Sequence, residues 1–347
     1  MMPSISRRTL MTQTLAGSVA LGVSARPLSA LASPPVSPVM QEVLGYAREQ
    51  RTTGLLVIEN GRTLVEENWP APTDDPVFAN FVYERTSGGA LLEDVASQQK
   101  SFVSMLVAVA IDKGLLDIAR PVSDIIGPGW SKANRVREAE IRVIDVLTMS
   151  SGLRPDFTFQ APPGTVFFYN TPVYAVTKAI VSAAAKLPLE TITHDWLTAP
   201  AGMRDTSWRK RPAAFGDVGN PTGLVTSPRD TARFGQIVLD GGVSASGRRI
   251  VSATELAAMF TRSKINPAYG RLWWLNGGSF TIKALATRVD GPLIPAAPVD
   301  LVAALGALDR KLYIVPSRKL IVVRMGDAAP DRNFDQEFWL RLAPALA

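Results

Sequence analysis

Chemistry can be sought first at Ser97-Gln98-Gln99-Lys100. A serine hydroxyl is a poor nucleophile until a neighbour removes its proton. A lysine one helical turn away can do so once burial or a nearby cation lowers its pKa. Backbone N–H groups at a helix start lack partners and can stabilise negative charge on a reacting oxygen. A solvated helix start with a surface lysine has the same four-residue pattern. The second candidate is Tyr169, in the loop Pro162-Pro163-Gly164-Thr165-Val166-Phe167-Phe168-Tyr169-Asn170-Thr171-Pro172. Its phenol could relay a proton between serine and leaving group if nearby cations lower its pKa. Equally, an aromatic here can plug the loop against the core.

These residues need elements to position them. Phe102, Val103, Leu106, Val107, Ala110 and Ile111 recur at helical spacing. They predict a helix with one apolar stripe, Ser97 at its start and Lys100 on the same face one turn on. Asp112-Lys113-Gly114 supplies its stop. Residues 40–50 read as a helix, and 54–69 as a hairpin around Asn60-Gly61. A similar pair, 310–315 and 319–324 around Pro316-Ser317, precedes a closing helix at 333–342. Hairpins at both ends with helical patterns between them predict an α+β fold (an α/β sandwich). One antiparallel sheet built from both termini is flanked by helices and carries an inserted, mostly helical domain. The expected division is 33–120 and 215–347 for the sheet domain and 121–214 for the insert. Residues 141–147 read as a helix ending at Gly152, and Thr171-Pro172 as a threonine N-cap with proline in the first turn. Ser227 and Ser252 start two further helices, and 276–300 reads as a long loop or short hairpin.

Composition excludes several classes. Hydrophobic residues make up 46% and charged residues 20%, as in a globular protein. With no cysteine and one histidine, His194, thiolate and His-rich metal sites are ruled out, and no cofactor is implied. A Ser-His-Asp reading of His194-Asp195 lacks a G-x-S-x-G elbow, so His194 is read as structural. The amino terminus pairs Arg7-Arg8 with a weakly apolar Gly/Ala-rich run and the small-x-small Ala30-Leu31-Ala32. That resembles a twin-arginine signal peptide over 1–32, so a periplasmic or secreted product without stable membrane insertion is expected. Residues 1–32 hold three arginines and no acid, so 34 basic residues against 31 acidic ones remain, a net of +3. This is too little and too dispersed to suggest a nucleic-acid partner.

Taken together, the motifs resemble the serine β-lactamase and penicillin-binding-protein-like hydrolases. They are Ser97-x-x-Lys100, Leu147-Thr148-Met149-Ser150-Ser151-Gly152-Leu153, Pro163-Gly164 with Tyr169, and the segment from Gly223 through Ser227-Pro228-Arg229-Asp230 to Phe234-Gly235. The order matches the class C-like branch, with its carboxylesterase and nylon-oligomer hydrolase relatives, over roughly 40–340. The resemblance implies that Ser97 is the acylated nucleophile, Lys100 its activating partner and Tyr169 the proton relay. Two departures stand out. The family's Tyr-x-Asn is here Tyr169-Asn170-Thr171, and its Lys-Thr-Gly strand is matched by Ala304-Leu305-Gly306. That placement makes the Ala307 N–H the second oxyanion donor beside that of Ser97.

Thr171, Gly306, Arg310 and Trp273 are expected at the substrate. Trp273 and Trp274 suit a cleft wall or the core about equally, and Arg310 is the one candidate to replace the missing strand lysine. The expected activity is cleavage of a small-molecule ester or amide through an acyl-serine. A β-lactamase or D-alanyl-D-alanine carboxypeptidase shares that mechanism. A non-catalytic binding protein of the same fold has no need for all three catalytic side chains.

Overall fold

The structure, a computed structural model, describes residues 37–213 and 219–346. The signal expected at 1–32 lies outside them. Twelve strands lie among the described residues. They are β1 (Thr52–Glu59), β2 (Arg62–Asn68), β3 (Val82–Arg85), β4 (Leu91–Asp94), β5 (Ser207–Lys210), β6 (Thr222–Thr226), β7 (Trp274–Leu275), β8 (Phe280–Ile282), β9 (Arg288–Asp290), β10 (Val302–Gly306), β11 (Arg310–Val315) and β12 (Leu320–Gly326).

The main sheet runs β2-β1-β12-β11-β10-β7, antiparallel throughout. The amino-terminal hairpin thus pairs directly with the carboxy-terminal one, Val57 opposite Val322 and Tyr313 opposite Val322 on the other side. The sheet built from both termini is the one the hairpin patterns predict. β1, β11 and β12 read as continuous hydrophobic runs because helices cover both faces. Alternation sorts their side chains between those faces. Leu312 and Ile321 meet Gly235 of the helix Pro228–Leu239. Tyr313, one residue on, meets Phe338 and Trp339 of the closing helix Phe334–Ala345. The helix Pro38–Glu49 lies beside that closing helix, with Tyr46 stacked on Phe334.

A second sheet, β3-β4-β6-β5, feeds the chain from Asp94 towards Ser97. β5 falls inside the stretch expected to be helical, because it completes this sheet against β6. The helix Gln99–Asp112 departs from expectation in a second way. It is buried from Gln99 to Ala110 on every side, with no exposed polar face. Its two serines are satisfied internally, Ser101 Oγ donating to Leu272 O and Ser104 Oγ to Arg271 O. Residues 276–300 contain the small hairpin β8–β9. From Val36 onward the chain clusters as one unit. No helix among the described residues is long and apolar enough to cross a membrane.

Trp339, fully buried against Tyr313, ties the closing helix to the sheet. Trp339→Ala is expected to cost about 3–5 kcal/mol of unfolding free energy, as for a large aromatic leaving a cavity. Urea melts followed by circular dichroism check this. A loss below about 1 kcal/mol would mean the helix is not held there.

Candidate active site

β4 delivers Ser97 through a strained turn. Ala96 adopts φ +49°, unusual for a residue with a Cβ, and its N–H donates to Asp94 Oδ1 at 2.8 Å. Ser97 then sits in a single 3₁₀ turn, Ala96–Gln98, ahead of the buried helix. It is partly exposed, whereas Ala96, Gln98 and Lys100 are buried. Lys100 Nζ lies 2.8 Å from Ser97 Oγ and 3.2 Å from Thr171 Oγ1. Burial pushes the Lys100 pKa well below its ordinary value, and the nearby cations Arg211 and Lys178 push the same way. Both effects favour the neutral amine relative to an exposed lysine, and the lone pair of that form can accept the serine proton.

The loop that carries Tyr169 is braced by the Leu147–Leu153 motif. Phe168 N donates to Met149 O at 2.8 Å, Gly164 N to Ser150 O at 2.8 Å, and Asn170 Nδ2 to Leu153 O at 2.9 Å. Gly152 is required there: at φ +72° its Cβ would lie 1.9 Å from the Ala161 carbonyl oxygen. Asn170, not Thr171, is the N-cap of the helix Thr171–Ala185, its Oδ1 accepting from Val173 N at 3.2 Å. An amide in the capping position leaves the Thr171 hydroxyl free to face Lys100.

Tyr169 stacks on Trp274 at 5.6 Å, and the Lys100 Nζ lies 4.8 Å from its ring centre. Its hydroxyl bonds to Ser97 and Trp274, which lowers its pKa, but burial dominates and raises it to about 12. The cation-lowered phenol of the sequence reading is thus replaced by a protonated one. The reason is the loss of water around a fully buried hydroxyl, which outweighs the hydrogen bonds that favour the phenolate.

Across from Ser97, Gly306 ends β10 and Ala307 begins the turn to β11. A Cβ at Gly306 would come 2.3 Å from the Val95 carbonyl oxygen, so only glycine lets β10 approach the nucleophile turn this closely. Two cavities open on Ser97 and share Ala307. One, about 320 Å³, is apolar, with Val77, Phe81, Ala96 and Leu308 in its wall, Thr171 at its edge, and Arg211 and Asn220 also lining it. The other, about 400 Å³, is lined by Tyr169, Trp274, Leu293, Leu305, Lys283 and Asp335.

The structure thus brings Ser97, Lys100, Tyr169, Thr171, Gly306 and Ala307 together. It does not bring Trp273 or Arg310 to the cleft, and both are corrections. Trp273 is fully buried, stacked on Phe234 at 5.8 Å, because successive residues entering β7 point to opposite sides. Trp274 is the one that lines the cavity. Arg310 is fully buried and paired with Glu93 at 3.0 Å, so it cannot swing out to a substrate. His194 sits on the surface, 2.7 Å from Asp195.

Three charged side chains were missed, Arg211, Lys178 and Lys283, and with them the role of Gly223. Arg211 grips Asp94 through two bonds, 2.7 and 2.9 Å, and also lines the apolar cavity. Gly223 makes room for that pair, since a Cβ there would overlap the Asp94 carboxylate. Lys178, its pKa lowered by burial to about 7, donates to Asn220 Oδ1 and Thr222 O, both at 2.7 Å. Lys283 on the rim of the second cavity is exposed and its neighbours carry no motif. The one available signal was the adjacent pair Glu93-Asp94 in an apolar strand, which demands buried cationic partners.

Comparisons with known proteins bear on the family and the fold. A family model described as Beta-lactamase matches residues 39–337. Penicillin-binding protein 4 of Amycolatopsis lactamdurans is 24% identical over 234 residues. That stretch is 52% of this chain and 60% of the relative, so less than two thirds of that protein is spanned. A putative beta-lactamase from Bacteroides dorei DSM 17855 superposes with TM-score 0.68 at 14% identity, over 90% of this chain and 99% of that one. A putative 6-aminohexanoate-dimer hydrolase from Bacillus anthracis gives 0.65 at 17% identity, over 88% and 80% respectively.

Burying Lys100 has a thermodynamic sign. Its folded pKa lies below the unfolded value of 10.5, so the unfolded chain binds the extra proton. Stability therefore rises with pH through the interval between the two values, and the burial penalty is largest at the acid end of it. Lys100→Met is expected to raise the melting temperature at pH 7, by less near pH 10, while abolishing turnover. Calorimetry at the two pH values checks this. A variant less stable than the parent at pH 7 would contradict a neutral buried amine.

Proposed function

The chain belongs to the beta-lactamase family of serine hydrolases, and from that premise we propose that it cleaves small, uncharged esters or amides through an acyl-serine on Ser97. The observation that carries this reading is the 2.8 Å contact between Lys100 Nζ and Ser97 Oγ, with the amine buried and biased to its neutral form. In the proposed sequence Lys100 takes the Ser97 proton as Oγ attacks the substrate carbonyl. The oxyanion is received by the N–H groups of Ser97 and Ala307. Tyr169, a phenol at rest, donates to the leaving oxygen or nitrogen and is reprotonated from the Lys100 ammonium. Water then attacks the acyl-serine. Its proton returns by the same groups, and Ser97 leaves reprotonated.

The reading makes two demands on labelling and rate. A fluorophosphonate is expected to add one adduct on Ser97 by intact mass, and Ser97→Ala to add none. Tyr169→Phe keeps the ring stack and loses the proton carrier, so kcat is expected to fall about a hundredfold or more. Labelling of Ser97→Ala, or an unchanged kcat in Tyr169→Phe, would contradict these roles.

The preference for uncharged substrates rests on the walls. Where relatives carry the strand lysine, Ala304 is buried and Leu305 faces the second cavity. Arg211, on the apolar side, is already engaged by Asp94 and Asn220 O. A substrate carboxylate would meet no strand cation there, and an unpaired charge in a cleft is costly. A second reading, hydrolysis of β-lactams or D-alanyl peptides, draws on one observation: Lys283 enters the cleft from another element, the β8–β9 hairpin. A p-nitrophenyl ester is expected to give a higher kcat/KM than a chromogenic cephalosporin. The reverse order, abolished in Lys283→Ala, would establish the second reading with Lys283 as the replacement cation.

A further inference from the structure

The second oxyanion donor sits on a turn with an unusual foundation. Leu308 and Asp309 both adopt positive φ, 59° and 55°, so the turn is strained and must be held by its surroundings. Buried arginines hold every carbonyl in it. Arg310 Nη1 donates to Ala307 O at 3.2 Å, and Arg324 Nη1 donates to Leu308 O at 2.8 Å and Asp309 O at 3.0 Å.

Arg310 is fully buried, with Phe81 4.6 Å and Phe78 5.6 Å from its guanidinium. Its Nη2 lies 3.0 Å from Glu93 Oε2, also fully buried. The contact is close enough for an ion pair but poorly aligned as a hydrogen bond. Glu93 belongs to β4, four residues before Ser97, and Arg310 opens β11, three residues after Ala307. The carboxylate is anchored in turn to the main sheet, accepting from Thr53 Oγ1 and from Gly326 N at 3.2 Å. One buried ion pair therefore links the strand that delivers the first oxyanion donor to the turn that carries the second.

We propose that Glu93 and Arg310 are positioning residues that set the spacing between the Ser97 and Ala307 N–H groups. This rests on the reading of Ser97 as the acylated nucleophile. Stability alone does not account for the pair, because well-packed apolar residues of similar volume generally serve a core as well as a buried ion pair or better. What an apolar pair cannot do is donate to the Ala307 carbonyl while it is tethered to β4. Misplacing an oxyanion donor penalises the transition state and leaves ground-state binding nearly untouched.

The test compares the parent with Glu93→Gln/Arg310→Met and with Arg310→Lys. The double variant removes both charges of the pair; the Gln oxygen still accepts from Gly326 N, and the Thr53 hydroxyl can turn to accept from the amide nitrogen. Arg310→Lys keeps the ion pair but lacks the fork that serves Glu93 and Ala307 together. Melting temperature, KM, kcat and the pre-steady-state acylation rate with a p-nitrophenyl ester are measured for each. In both variants kcat and the acylation rate are expected to fall together by about ten- to a hundredfold, with KM within about twofold. The more stable of the two should still melt cooperatively near the parent temperature. Parent-level kcat in either folded variant overturns the proposal. So does activity that falls only in step with the folded fraction. Fluorophosphonate labelling of the parent separates the two layers. An unlabelled parent removes the acyl-serine reading and this inference with it, whereas a labelled parent with fully active variants removes only the inference.

Discussion

A lysine amine kept out of water beside a serine hydroxyl is the constraint on which the rest of this structure depends. An exposed lysine at neutral pH is an ammonium and has no lone pair to offer. Lys100 is stripped of water by a helix buried on all sides, by Tyr169 and Tyr174, whose rings lie 4.8 and 4.6 Å from its Nζ, and by the turn at Ala96. Two further cations, Arg211 and Lys178, oppose its charge. Each of them is itself satisfied, Arg211 by Asp94 and Lys178 by Asn220 and Thr222. Positive groups can stay near Lys100 only because other elements neutralise or solvate them. The fold spends burial that would otherwise favour stability on holding one amine ready to react.

The second constraint is closeness of backbone. Gly306 lets β10 touch the carbonyl of Val95, and Gly223 lets Asp94 and Arg211 lie across β6. These contacts converge on the few residues that join β4 to the nucleophile helix. The two cavities meet at that junction, so a carbonyl placed over Ser97 can send one substituent towards Val77 and Leu308 and the other towards Trp274 and Lys283. Ala304 and Leu305 place no cation on β10 beside Gly306. Lys283 is a cation on a different wall, at the rim of the second cavity.

Much of this was legible in the sequence, and the parts that were not share a cause. Local periodicity and turn chemistry foretold the hairpins at both ends, the Gly114 stop and the Ser227 and Ser252 caps. Ser97 and Lys100 were legible because three residues of helix place them on one face. The face of Trp273 was not legible, since two adjacent tryptophans give no sign of which enters the core. Arg310 was misjudged for a similar reason. Its nearness in sequence to Ala307 suggested the cleft, whereas strand alternation turned it inward to Glu93, a residue 217 positions earlier. Arg211 and Lys178 reach the site from loops and helices far along the chain, and no local pattern announces a long-range ion pair. The N-cap at Asn170 was missed because threonine before proline is itself a good cap signal, and the competing amide lies one residue earlier.

The most direct measurement is the titration of Lys100 itself. Lysine labelled with ¹³C at Cε, assigned by comparison with Lys100→Arg and Lys178→Arg, reports the protonation state of each amine as pH is varied. The account predicts a Lys100 resonance that titrates far below the exposed lysines, reading as the neutral amine at the pH of turnover. A Lys100 that titrates with the exposed lysines, near 10.5, would leave Ser97 without its base and contradict the account.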